Sequence, residues 1–100
     1  MEEVIQTDNL TQVLAEKFAA TKQEGIIRAE CWLNEPQART SALLDELVSV
    51  MHKLSGTAAL FDEHKLAEAA QNAELSLKVC DADNSKKADV ALTNFVRLAA

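Results

Sequence analysis

The stretch Leu43–Phe61 reads LLDELVSVMHKLSGTAALF. Laid out as a helix at about 100° per residue, Leu43, Leu44, Leu47, Val50, Met51, Leu54, Ala58 and Phe61 gather within about 60° of one direction. That stripe is wide enough to be a core face. His52 points about 140° away from its centre and therefore projects outward. Ser49, Asp45 and Gly56 share the outer face, while Val48, Ser55 and Ala59 lie on the shoulder. A glycine inside a helix costs about 1 kcal/mol relative to alanine. At position 56 no packing demands it, but a side chain there would crowd the imidazole one turn away and anything docking onto it. Alone, such a pair reads as a surface histidine and an accidental glycine. The surrounding pattern is what gives it weight.

Composition agrees with an all-helical chain. The 100 residues are enough for one domain with a single modest core. Apolar residues make up 48%, with three Phe, one Trp, no Tyr, two Gly and one Pro, which suits helices and not a sheet with turns. The net charge of -6 argues against nucleic acid, whose phosphates need a basic surface, and against an anionic membrane surface. No apolar run approaches membrane-spanning length. The start, Met1-Glu2-Glu3, is acidic where a secretion signal needs basic residues, so a cytoplasmic location is expected. Cys31 and Cys80 lack CxxC spacing and read as reduced, partly buried thiols.

Outward from the central stretch, the rest of the chain divides into three further helices. Residues 1–7 read as a loosely held lead-in, with Thr7 or Asp8 as an N-cap. Leu10, Val13, Leu14, Phe18, Thr21, Gly25, Ala29 and Trp32 then recur at helical spacing, predicting a helix over about 8–33. Gly25 is its weak point. A bend or break near 22–26 would leave a short extra N-terminal helix before a longer one. Asn34-Glu35-Pro36-Gln37 is the clearest break, with Pro36 suited to the first turn of a second helix over about 36–61. Asp62 is placed to cap a third helix over about 63–80. Its seam is Leu66, Ala69, Ala70, Ala73, Leu77 and Cys80, close to a heptad pattern. Asn84 or Ser85 would cap a fourth helix over about 85–98, with Ala88, Ala91, Leu92, Phe95, Leu98 and Ala99 facing inward. Lys86 and Lys87 sit in its first turn, against the helix dipole. Short links between long helices make neighbours antiparallel. The expected architecture is an all-α, antiparallel up-and-down four-helix bundle spanning residues 1–100 as one domain.

Few enzyme constellations fit. With only Gly25 and Gly56, no phosphate loop exists, and no H-E-x-x-H or carboxylate-bridged metal pattern appears. Asp62-Glu63-His64 reads as a capping cluster. Ser49 and Ser55 flank His52, yet no buried orienting acid is evident. Alanine-rich helices leave little room for a substrate pocket. What remains is one outward imidazole among small neighbours. A neutral ring nitrogen attacks phosphorus readily, and with an ordinary pKa near 6.5 histidine is mostly neutral at cytoplasmic pH.

At this point the run His52-Lys53-Leu54-Ser55-Gly56-Thr57-Ala58 resembles the signature of histidine-containing phosphotransfer domains, H-x-L-K-G-x-A or S. Leu66, Ala67 and Glu74 fall where that family tends to carry the leucine, small residue and glutamate of the next helix. The likeness covers about residues 38–76; beyond that it is architectural. It implies that His52 is the phosphoacceptor and that Gly56 provides clearance, with Lys53 and Ser55 as supporting residues. Val48, Ser49 and Ala59 (with Ser55) would form part of a docking surface. The implied partners are response-regulator receiver domains or a hybrid sensor kinase. The family shuttles phosphoryl groups between receiver aspartates. Magnesium belongs to the receiver, so no cofactor or metal is expected on this chain, nor an autonomous active site. A free-standing monomeric carrier is the simplest form. There are two departures: Ser55 replaces the family's lysine, thought to help neutralise the phosphoryl group, and Asp62 stands where many members have glycine. The alternative is a non-catalytic helical interaction module that binds a receiver or partner helix without phosphoryl transfer.

Overall fold

The computed structural model describes the backbone of residues 2–79 and 85–100, and the side chains of residues 12–79 and 86–100. Among these it contains four α-helices: α1 (Glu2–Asn34), α2 (Ser41–Leu60), α3 (His64–Lys78) and α4 (Ser85–Ala99), with a 3-10 turn at Pro36–Ala38 between the first two. α1 packs on α2 and α4, and α3 on α2 and α4, so the helices form a square in chain order. The largest interface is between α2 and α3. The expected all-α four-helix bundle is the observed fold.

The core is the set of stripes expected from periodicity. Leu47, Val50, Met51, Leu54 and Ala58 of α2 are buried against Leu66, Ala69, Ala70, Ala73 and Leu77 of α3. Ala88, Leu92 and Phe95 of α4 and Phe18, Ile26, Ala29 and Trp32 of α1 complete it. Each fully buried leucine or phenylalanine stabilises the fold by about 1.5–3 kcal/mol relative to exposure. The alanines of α3 contribute less area but let the helix approach α2 closely, which matters for the site below. Phe18 stacks on Phe61 with ring centroids 5.0 Å apart and closes that end of the core.

Several boundaries differ from expectation. α1 begins at Glu2, so Thr7 and Asp8 lie inside it and residues 2–7 are no separate lead-in. It also runs unbroken through Gly25, and no short extra N-terminal helix forms. The reason is steric. Gly25 is buried, and a Cβ there would stand 2.9 Å from Leu54 Cδ1 and 3.1 Å from Phe95 Cζ. The residue is a close-approach point that admits α2 and α4, and its φ is not positive. Residues 12–17 are all exposed, including Val13 (44%) and Leu14 (50%), because α1 runs past the end of the bundle.

Pro36 does not open α2; it starts the 3-10 turn. Thr40 caps α2 instead, its hydroxyl accepting from the Leu43 N–H at 3.1 Å. Asp62 is not a cap either. Its φ is 60°, the left-handed region that glycine favours, and the cap position of α3 is Glu63, without a side-chain bond. Aspartate tolerates that conformation better than most residues other than glycine. α4 extends to Ala99; Leu98 is 41% exposed and Ala91 only half-buried. The roles expected of Cys80 and Asn84, and the side chain of Ser85, lie outside the described residues.

Candidate functional site

The site forms where α2 and α3 lie side by side. His52 sits at mid-length on α2, away from Leu47, Met51 and Leu54, and its side chain is 75% exposed. Its Nδ1 is 3.1 Å from Oε2 of Glu74 on α3. Glu74 is the one buried polar or charged residue among the described side chains, 6% exposed. It occupies the edge of the α3 seam, among Ala70, Ala73 and Leu77, and the small alanines let its short reach meet the imidazole.

Lys78, one turn further along α3, places Nζ 2.9 Å from the same Glu74 Oε2. One carboxylate oxygen thus receives two donors, an ammonium from its own helix and an imidazole N–H from the neighbouring one. The Lys78 ammonium above all, and then the His52 ring, hold the Glu74 carboxyl below its ordinary range; burial pushes the other way and loses. An ionised carboxylate only accepts hydrogen bonds, so Nδ1 of a neutral His52 carries the proton. The ring's lone pair is then on Nε2, at the exposed edge.

The remaining residues singled out by sequence divide into two groups. Gly56 is exposed on the same outer face, and a Cβ added there would meet nothing within 4 Å, so contrary to expectation a small side chain at this position does not crowd the imidazole. Ser49 and Ala59 are exposed beside it, and Val48 and Ser55 are half-buried. The Ser55 hydroxyl donates to the His52 carbonyl at 2.8 Å, so it is engaged by its own helix and is not turned toward the ring. Lys53 lines a groove of about 240 Å³ toward α1, with Glu24 of that helix and Asp45, Glu46 and Ser49 of α2. The cation brought to the imidazole's partner is Lys78 and not Lys53.

The sequence reading named Glu74 only through the resemblance and gave it no orienting role, and it did not single out Lys78. A signal was present: Glu74 is a charged residue in register with seam positions four before, one before and three after it. Its pairing with His52, 22 residues away, depends on the register between two helices. A second nucleophile is less apt. The half-buried Cys31 thiol donates to Glu35 at 3.4 Å, and that bond raises it above its ordinary range, keeping it protonated. His64 lies 3.7 Å from Asp62 at the exposed start of α3. Among the described residues no group of three or more His, Cys, Asp or Glu side chains is placed to hold a metal ion, and no helix is long and apolar enough to cross a membrane.

No family model matches this chain, and no curated protein or solved structure matches it either.

Proposed function

We propose that this chain is a histidine phosphotransfer protein, with His52 accepting a phosphoryl group from the aspartyl phosphate of a receiver domain and passing it on. The observation that carries the reading is the setting of one ring: Nδ1 is tied to a buried carboxylate, and the side chain that carries Nε2 is 75% exposed beside a bare stretch of helix. In the transfer, the Nε2 lone pair attacks phosphorus. The bond from phosphorus to the aspartyl oxygen breaks, and the donor aspartate leaves with its electron pair. The ring becomes cationic while the Nδ1 proton stays in the hydrogen bond to Glu74, whose negative charge stabilises that cation. The product P–N bond is labile enough for onward donation.

Everything else the reaction requires comes from the partner, including the metal ion that offsets phosphoryl charge. The low relief around His52, made by Ser49, Gly56 and Ala59, suits a second protein pressing close. Incubation with a phosphorylated cognate receiver should place acid-labile, alkali-stable label on wild type and none on His52→Gln. Gly56→Leu should fold and resist labelling, because leucine is a good helix former but would stand over the approach to Nε2. Receiver binding that is equal in wild type and His52→Ala, with label on neither, would replace this reading with a non-catalytic interaction module.

A further inference from the structure

The Glu74 oxygen shared by His52 and Lys78 raises a question of charge competition. A buried carboxylate needs a cation. Among the described residues, the basic side chains within 4 Å of the Glu74 carboxylate are Lys78 from α3 and His52 from α2, with none from α1 or α4. If Lys78 did not fill that role, the only other group able to fill it would be His52 as an imidazolium. An imidazolium carries a proton on Nε2 and has no lone pair to attack with. The nucleophile that the proposed function requires is therefore the form that a partnerless Glu74 would disfavour.

We propose that Lys78 is a positioning residue that holds His52 neutral: by occupying Glu74 Oε2 it satisfies the buried charge, leaving the ring with one proton on Nδ1 and its Nε2 lone pair outward. The usefulness of this state rests on the phosphotransfer reading, but the state itself does not. The geometry fits the role. Lys78 is half-exposed, with its stem along the α3 surface and its ammonium reaching inward. It lies in the last turn of α3, where a cation is also favoured by the helix dipole. Lys53, though next to His52 in sequence, faces the α1 groove.

The test is a 15N NMR titration of the His52 imidazole in the full chain, comparing wild type with Lys78→Met, Lys78→Arg and Lys53→Met. Wild type should show Nδ1 protonated and Nε2 unprotonated when neutral. In Lys78→Met the titration midpoint should move upward and the share of neutral Nδ1–H tautomer at neutral pH should fall. Lys78→Arg should restore both, and Lys53→Met should leave both unchanged. In parallel, labelling by the small phosphodonor phosphoramidate at neutral pH should slow several-fold in Lys78→Met and recover in Lys78→Arg. A Lys78→Met protein that melts lower but keeps the wild-type titration and tautomer would reduce Lys78 to a structural role and overturn the proposal. If instead the titration shifts as expected while no receiver ever labels wild type, the positioning role stands and the phosphotransfer reading fails.

Discussion

A Cβ at Gly25 would press within 2.9 Å of Leu54 and 3.1 Å of Phe95, both fully buried, whereas one at Gly56 meets nothing. The two glycines of the chain thus answer the same substitution with opposite signs. Gly56→Ala should stabilise the protein by about 0.5–1 kcal/mol, the propensity difference at an exposed helical site. Gly25→Ala gains the same propensity but must displace packed atoms, a cost of about 1–3 kcal/mol. It should destabilise on balance. Denaturant midpoints of the two variants check this, and a stabilised Gly25→Ala would mean that the core relaxes around the methyl group. From sequence the two residues look alike, interruptions in a helical pattern. Their difference lies in which neighbouring helix comes close, and periodicity along one helix is blind to that. The outward placement of His52, by contrast, is settled by the angle between it and its own stripe, and that was legible.

Between elements, the α2–α3 pairing turns two separate patterns into a site. Each helix announces its buried stripe through spacing, and Leu47, Met51, Leu54, Leu66, Ala70, Ala73 and Leu77 are buried accordingly. Helix starts were read less well. The Pro36 signal was real but was used by a 3-10 turn, and the cap passed to Thr40 four residues on. The register that sets His52 against Glu74 was not legible either, because it depends on how the alanines of α3 seat between the larger side chains of α2. That pairing carries a pH signature. A carboxyl held below its ordinary value stabilises the fold at pH above that value, and the contribution is lost as pH falls through the lowered one. Wild type should therefore lose stability on acidification from about pH 4.5, the ordinary glutamate value, downward. Glu74→Gln should show a shallower loss over the same interval, as read from thermal midpoints at stepped pH. Parallel curves would mean that other carboxylates dominate the acid limb.

At the scale of the whole molecule, one contact ties the first helix to the last. The buried Trp32 indole N–H donates to Asp89 of α4 at 3.2 Å. Arg39, from the link after the 3-10 turn, donates to the Trp32 carbonyl at 2.8 Å and lies over the indole ring, 5.1 Å from its centroid. Its pairing with Asp89 at 3.5 Å is partly exposed and contributes little. The indole bond is the stronger term, since its loss leaves a buried donor unsatisfied. Asp89→Ala should lower stability by about 1–3 kcal/mol, followed by the fluorescence of the lone Trp32 during unfolding; an unchanged midpoint would show that water replaces the carboxylate.

The overhang of α1 also shapes how the chain tumbles. Its principal extents are 57 × 22 × 20 Å, a spindle and not a sphere. Amide N–H bonds lie close to the axis of their helix, and in an up-and-down bundle those axes follow the long dimension. Nearly every helical amide therefore reports end-over-end rotation, the slow mode, and almost none reports the fast spin about the spindle. Nuclear relaxation of a single chain would then return a rotational correlation time well above that of a ball of equal mass, so a long correlation time here measures elongation before it measures pairing.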